Sequence, residues 1–79
     1  MYSVYIIECY DKTLYTGITV DLVRRVNEHN LSKRGAKYTR ARRPVKLVYS
    51  KKFRNKSLAL RAENIIKKLS RNDKLKLIC

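Results

Sequence analysis

Apolar side chains in the first part of the chain are spaced in the manner of β-strands. Residues 2–9 are rich in β-branched and aromatic side chains, and apolar residues occupy both sets of alternating positions, which favours a central strand covered on both faces. A polar break of hairpin length at 10–13 separates this run from a second, shorter strand pattern over 14–18. The run 45–53 predicts a third strand. The sequence therefore predicts a hairpin and, later in the chain, one more strand.

Apolar residues recur at helical spacing in three other segments, which predict helices over about 20–31, 57–69 and 73–78. Thr19 and Ser57 are the expected caps of the first two helices, because a hydroxyl oxygen there can accept a hydrogen bond from a free backbone N–H of the first turn. The positions expected to face the core are Leu22, Val23 and Val26 in the first helix and Leu58, Ala62, Ile65, Ile66 and Leu69 in the second.

The order of these elements is β-β-α-β-α-α, which limits the architectures available to the chain. Two neighbouring strands joined by a tight turn pair antiparallel. A three-stranded antiparallel sheet flanked by helices, in the α/β class and of the α+β type, is the economical way to bury the apolar faces. With 79 residues, the range 1–79 is expected to form a single small domain. The pattern leaves the order of the strands in the sheet open.

Charge adds a functional indication to this outline. The chain has 20 Lys and Arg against 6 Asp and Glu, which gives a formal net charge of +14. So many like charges repel one another, and proteins tolerate this repulsion when their partner is a polyanion. Nucleic acid is the first candidate and an anionic membrane surface is the second. The charge alone does not separate DNA from RNA.

The positive charge is concentrated in residues 31–56, which carry eleven basic residues and no acidic one. The first part of this segment, with Gly35 and ending near Pro44, is expected to be a loop. Cations neutralise phosphates and aromatic rings stack on bases, so the mixture of the two suits nucleic acid. The predicted nucleic-acid interface consists of Lys33, Arg34, Lys37, Tyr38, Arg40, Arg42 and Arg43, together with Gly17.

The two cysteines, Cys9 and Cys79, are too few for a disulfide framework and belong to no Cys/His cluster. We therefore expect free thiols in a reducing cytoplasm. No apolar stretch approaches the roughly 18 residues of a membrane-spanning helix. The amino-terminal run also lacks the basic region of a signal peptide. These features predict a cytoplasmic protein with no membrane partner.

Four side chains near the hairpin and the first helix could carry chemistry. Tyr5 and Tyr15 lie on paired strands, where they could equally be ordinary packing aromatics. Arg25 and His29 lie four positions apart on one flank of the apolar stripe, at the expected border between core and solvent. Arg25 could be one more solvated cation, and His29 could interact with the helix dipole or act as a proton carrier. Their role is open at this point.

Glu63 is the only carboxylate between Glu28 and Asp73, in the middle of a large positive excess. Glu63 could simply form an ion pair with Lys67, one helical turn later, which would stabilise the helix by about 0.2–0.5 kcal/mol. The functional alternative is a metal ligand, because a hard carboxylate recruits Mg²⁺ beside a phosphate. The isolated Gly17 in the second strand indicates a bulge or a close approach to the backbone.

Together, these residues resemble the GIY-YIG nuclease superfamily. The elements are "SVY" at 3–5, "YTG" at 15–17, "DLVRRVNEH" at 21–29 and a later helix bearing Glu63. The runs "AKYTRARRPVKLVY" and "IIKKLSRNDKLKL" complete the pattern. The match covers nearly the entire chain and is closest to the small stand-alone bacterial proteins of the superfamily.

The resemblance implies a helix-flanked, three-stranded antiparallel sheet that hydrolyses phosphodiester bonds of DNA as a metal-dependent endonuclease. It further implies a structure-selective enzyme of DNA repair or recombination. Carried over by position, the catalytic residues are Tyr5, Tyr15, Arg25, His29 and Glu63, and Gly17 is the motif glycine. Glu63 would bind the metal, Mg²⁺ or Mn²⁺. One of the tyrosines, or His29, would accept the proton of the attacking water.

This chain departs from the family pattern at Ser3, Val4 and Thr16, and the family's downstream Asn could be Asn64 or Asn72. We also expect none of the additional DNA-binding domains of larger relatives, which leaves room for a protein partner that supplies targeting. The main alternative is a non-catalytic nucleic-acid-binding module on the same scaffold, with RNA not excluded. A third is a protein that docks on a larger complex through its basic surface.

Overall fold

The computed structural model describes residues 1–31, 39 and 41–78. Its helices and strands, in chain order, are β1 (Tyr2–Glu8), β2 (Leu14–Thr19), α1 (Leu22–Leu31), β3 (Lys46–Phe53), α2 (Lys56–Lys67) and α3 (Arg71–Ile78). The predicted order β-β-α-β-α-α is confirmed for this part of the chain. The predicted loop around Gly35 falls largely outside the described residues, as does Cys79.

The three strands form one antiparallel sheet in the order β2-β1-β3. β1 is the central strand, as its apolar residues on both faces predict. In the pairing of β1 with β2, Tyr5 lies opposite Gly17 and Ile7 lies opposite Tyr15. Directly opposed residues of an antiparallel pair point to the same face. This register therefore brings both motif tyrosines to one face of the sheet.

Each face of the sheet has its own apolar cluster. On one face, Val4 and Ile6 pack with Ala59 and Ile66 of α2, and Ile78 of α3 joins them. On the other face, Tyr5, Ile7 and Cys9 pack with Val45, and Leu22 and Val26 of α1 cover them. α1 therefore lies on one side of the sheet, and α2 and α3 lie on the other. The face that carries Tyr5 is the face that α1 covers.

Both predicted helix caps are wrong by two positions. The Asp21 carboxylate, 3.1 Å from the backbone nitrogen of Arg24, caps α1. Thr19 instead accepts a hydrogen bond from the backbone N–H of Asp21 at 3.2 Å. α2 begins after Asn55, whose side-chain oxygen accepts from the backbone N–H of Leu58 at 2.9 Å. Asp and Asn cap helices at least as well as Ser and Thr, so Asp21 and Asn55 cap these helices in place of Thr19 and Ser57.

The predicted core face of α2 is also partly wrong. Ala59 is fully buried and Ile66 nearly so, whereas Leu58 and Ile65 are 41% and 58% exposed. The small side chain of Ala59 lets the helix lie close to the sheet, and the larger residues fall on its flanks. In α1, Val23 is likewise 74% exposed. No helix of the described residues is long and apolar enough to cross a membrane.

Candidate active site

The phenol of Tyr5 occupies the space that a side chain at position 17 would need. A Cβ built on Gly17 would lie 2.5 Å from the Tyr5 hydroxyl oxygen and 2.7 Å from its Cζ. Both distances are shorter than any normal van der Waals contact. The predicted close approach to Gly17 is therefore confirmed, and the group that approaches is Tyr5. A contact of Gly17 with nucleic acid stays a prediction.

A buried hydrogen-bond chain runs from Tyr5 through His29 to Thr39. The Tyr5 hydroxyl is 2.8 Å from Nε2 of His29, and Nδ1 of His29 is 2.8 Å from the hydroxyl of Thr39. Tyr5 is 1% exposed, and His29 and Thr39 are fully buried. The expectation that His29 lies at the border of core and solvent is therefore wrong. Its ring is buried because both nitrogens have hydrogen-bond partners inside the protein.

Arg25 connects this buried chain to the surface. Its guanidinium hydrogen-bonds to the Tyr5 phenol and to the Glu28 carboxylate. The Arg25–Glu28 ion pair measures 3.0 Å, and the Arg25 side chain is 27% exposed. Glu28 also pairs with Arg24 at 3.5 Å. These two cations hold the Glu28 side chain against the protein surface.

Tyr15 and Glu63 complete the group from two other elements. The Tyr15 ring meets the His29 ring edge-on, with ring centroids 5.4 Å apart. Glu63, on α2, is close enough to Tyr5 for its negative charge to raise the pKa of that phenol. Glu63 also pairs with Lys67 at 3.5 Å. Tyr5, Tyr15, Arg25 and His29 thus meet on the face of the sheet that α1 covers, and the charge of Glu63 on α2 reaches Tyr5.

Burial controls the protonation of the two central groups. Desolvation raises the pKa of Tyr5 above its ordinary value, although the hydrogen bond and positive charge of Arg25 oppose this. Desolvation, together with the positive charges of Arg25 and Arg43, lowers the pKa of His29 to about 4, although the negative charge of Glu28 opposes this. At neutral pH the pair is therefore a protonated phenol beside a neutral imidazole. Neither side chain is charged in the free protein at neutral pH.

The low pKa of His29 predicts a pH-dependent stability. The unfolded chain, with an ordinary His pKa of about 6.5, takes up a proton before the folded protein does. The contribution of His29 is therefore complete above pH 6.5 and is lost as pH falls towards 4. Between these values we expect wild type to lose up to about 3 kcal/mol of unfolding free energy relative to His29→Gln.

This prediction is checked by urea unfolding of both proteins at pH 7, 5.5 and 4.5. NMR gives an independent measurement, because the chain has one histidine and its imidazole signals need no further assignment. An imidazole titration midpoint at or above 6.5 in the folded protein would contradict the prediction.

Among the predicted nucleic-acid contacts that the structure describes, Arg42 and Arg43 have structural partners. Arg42 pairs with Asp11 of the β1–β2 turn at 3.0 Å. Arg43 donates hydrogen bonds to the backbone carbonyls of Glu28 and His29 at the end of α1. A role of these two cations in nucleic-acid binding stays a prediction. The predicted contacts Lys33, Arg34, Lys37, Tyr38 and Arg40 lie outside the described residues.

Sequence reasoning missed two residues that build this region. Thr39 lies in a run dominated by cations, and nothing in the sequence around a single threonine there indicates a function. Asn30 follows His29 directly and binds the backbone of Val45 through both side-chain atoms, at 3.0 and 2.7 Å. These bonds fix the end of α1 against the start of β3. The downstream asparagines Asn64 and Asn72, by contrast, are exposed.

The carboxylate of Glu63 fits one kind of metal site. Mg²⁺ keeps much of its hydration and needs only one or two carboxylates beside a phosphate. The described residues contain no group of three or more His, Cys, Asp and Glu that could enclose an ion. The Glu63 side chain is 13% exposed, and its nearest charged partner is a flexible lysine that can move aside. A single-carboxylate site that substrate completes is therefore consistent with this chain.

Residues 1–76 match the family of the GIY-YIG catalytic domain. With this match over nearly its whole length, the chain belongs to the GIY-YIG nuclease family. Nucleases of this family are generally metal-dependent, and the domain implies a DNA substrate.

Within the family, the chain is similar to small proteins named UPF0213. It is 57% identical to the UPF0213 protein of Syntrophus aciditrophicus over 75 residues, which cover 95% of this chain and 86% of that protein. A relative from Natronomonas pharaonis is 51% identical, so archaea as well as bacteria carry such proteins. The solution NMR structure of a UPF0213 protein from Bacillus halodurans matches with a TM-score of 0.63 at 47% identity, covering 99% of this chain and 83% of that one.

Proposed function

We propose that this chain is a metal-dependent endonuclease that hydrolyses phosphodiester bonds of DNA. The observation that carries the proposal is the hydrogen-bonded arrangement of Arg25, Tyr5 and His29, with the Tyr5 hydroxyl 2.8 Å from Nε2 of His29. A strand aromatic that served packing alone would not need a buried imidazole and a guanidinium on the same oxygen. Membership of the GIY-YIG family supports the same conclusion.

Arg25 is the group that would bind the scissile phosphate. In the free protein its guanidinium is shared between Tyr5 and Glu28. A phosphodiester that arrives from solvent competes with the Glu28 carboxylate for the outer face of the guanidinium. A hydrogen bond from a charged donor to phosphate strengthens as negative charge builds up in the transition state. Arg25 would therefore bind the phosphate and stabilise the transition state.

Tyr5 and His29 would take the proton of the attacking water in one relay. The water gives a proton to the Tyr5 oxygen while the Tyr5 hydroxyl gives its own proton to Nε2 of His29. The water oxygen forms the new bond to phosphorus, the bond from phosphorus to the 3′ oxygen breaks, and the leaving 3′ oxygen takes a proton from solvent. Desolvation is the main cause of the low pKa of His29, and the positive charge of Arg25 adds to it. Phosphate bound to Arg25 would offset that second contribution, so His29 becomes a better acceptor when substrate is present.

Tyr15 and Glu63 would support this reaction from either side. The edge-on ring of Tyr15 holds the plane of the imidazole that receives the proton. Glu63 is the residue that would hold Mg²⁺ or Mn²⁺, and a bound ion would supply Lewis-acid stabilisation of the charge on the phosphate.

The cleavage test uses wild-type protein with labelled linear, nicked, branched and single-stranded DNA. Mg²⁺ or Mn²⁺ should support cleavage, and a chelator should abolish it. We expect branched or nicked DNA to be cut fastest, in keeping with a role in repair or recombination in the cytoplasm. Salt-dependent binding of DNA with no cleavage of any substrate would contradict the proposal and favour a non-catalytic binding module.

A further inference from the structure

The hydroxyl of Thr39 lies at the far end of the hydrogen-bond chain, where nothing in the proposed chemistry requires a reacting group. It is 2.8 Å from Nδ1 of His29, while Nε2 of the same ring faces Tyr5. Thr39 is fully buried, so solvent does not supply this hydrogen bond in its place. The hydrogen bonds made by the two ring nitrogens together decide which nitrogen of a neutral imidazole carries the proton.

We propose that Thr39 is a positioning residue, which holds the proton of His29 on Nδ1 and leaves Nε2 free to accept the proton of Tyr5. The inference rests on the proposed function, in which Nε2 is the acceptor. It adds the residue that keeps Nε2 in the accepting state.

The donor and the acceptor of each hydrogen bond between Tyr5, His29 and Thr39 follow from the contact that Arg25 makes with Tyr5. A guanidinium has only donors, so Arg25 donates its hydrogen bond to the oxygen of Tyr5. A phenol oxygen that accepts from a cation is polarised, which makes its own O–H a stronger donor. The hydroxyl of Tyr5 then donates to Nε2, and the proton of the neutral ring lies on Nδ1. Nδ1–H donates to the Thr39 oxygen, which accepts through a lone pair.

Further contacts hold Thr39 and the nearby residues Arg42 and Arg43 in place. The Thr39 carbonyl accepts a hydrogen bond from the backbone N–H of Arg42 at 3.0 Å. Arg42 is tied to Asp11, and Arg43 to the carbonyls at the end of α1. The position of Thr39 is therefore set by contacts with the β1–β2 turn and with the helix that carries His29. Thr39 also belongs to the basic run 31–56, so the predicted DNA-binding segment and the imidazole share a direct contact.

The test reads the tautomer of His29 directly by long-range ¹H–¹⁵N NMR at pH 7. The single histidine of the chain gives one set of imidazole signals. We expect wild type to show a protonated Nδ1 and an unprotonated Nε2. Thr39→Val removes the hydroxyl at nearly constant volume and should shift the population towards the Nε2–H tautomer. Thr39→Ser keeps a hydroxyl and should restore the wild-type pattern.

A matched control is Thr16→Val. Thr16 is also buried, and among the described residues its hydroxyl is the buried side-chain group without a hydrogen-bond partner. The same change of side chain at this position should leave the imidazole signals unchanged. In cleavage assays, Thr39→Val should lower kcat about tenfold with little change in KM, because the proton relay is impaired and phosphate binding is not. Thr39→Ser should recover most of that loss.

The outcomes separate this inference from the proposed function. A wild-type imidazole protonated at Nε2 overturns the inference, even if the protein cleaves DNA. Thr39→Val that keeps the wild-type tautomer also overturns it. If Thr39→Val does not fold, Thr39→Ala, which also removes the hydroxyl, takes its place with the same expected shift. If wild type cuts no DNA but shows the Nδ1–H tautomer, the positioning role stands and the nuclease proposal fails.

Discussion

Glu63→Gln should lower the rate of DNA cleavage by about 100-fold or more, while the protein stays folded and binds DNA as before. The change removes a negative charge and keeps the size of the side chain. A neutral amide is a far weaker ligand for a hard divalent cation. Loss of one group that stabilises developing charge costs about 10²–10³ in kcat in well-studied enzymes. The measurement is the single-turnover rate at saturating Mg²⁺.

Two controls separate a metal role from an ion-pair role. Asp73→Asn makes the same chemical change at an exposed carboxylate of α3 that pairs with Lys76 at 3.7 Å. It should cut DNA at the wild-type rate. Lys67→Gln breaks the pair of Lys67 with Glu63 and leaves the carboxylate in place. If the pair is all that Glu63 provides, Lys67→Gln will be as defective as Glu63→Gln, and the metal assignment is then wrong.

Gly17→Ala should destabilise the protein and disable the site with a single added methyl group. The new Cβ would meet the Tyr5 ring at 2.5 to 3.2 Å, so the phenol has to move. Overpacking of this kind costs about 1–3 kcal/mol of unfolding free energy. A displacement of about 1 Å at a reacting group costs on the order of 100-fold in rate. Chemical denaturation and the cleavage rate at a temperature where the variant is folded measure both effects.

The same substitution in a Tyr5→Val background provides the matched comparison. Tyr5→Val removes the hydroxyl oxygen and the two ring atoms that the alanine would strike. The stability cost of Gly17→Ala should therefore nearly vanish in that background, with a coupling energy of about 1–3 kcal/mol between the two positions. Equal costs in both backgrounds would show that Gly17 is needed for another reason, such as a requirement of the β2 backbone.

The strands were predictable from the sequence because their signal is local. The apolar pattern of residues 2–9 marks a strand covered on both faces, and β1 is that central strand. Strand order was not predictable, because it depends on how β3 returns to the sheet after a long connection. Helix ends were predicted less well than helices. Several short polar residues lie near each helix end. Which of them caps the helix depends on the backbone geometry, which the sequence pattern does not specify.

The candidate site was predictable in its members but not in its arrangement. Tyr5, Arg25 and Glu63 could be named from motif spacing, since each falls at a recognisable place in the family pattern. The burial of His29 could not be inferred, because a lone polar residue on a helix flank normally faces water. Its burial depends on Thr39, ten residues away, and on Tyr5 in a different element. Such long-range partners leave no periodic signal in a single sequence.

The bond between His29 and Thr39 also has a consequence for how proteins of this shape can diversify. It joins two points of the chain between which residues 30–38 run, and Asn30 is held separately by Val45. Once the base of such a segment is closed, doubling its length costs only about 0.6 kcal/mol in chain entropy. Under the proposed function, insertions and changes of charge between these fixed points would alter which DNA structures the protein binds, without redesign of the catalytic geometry.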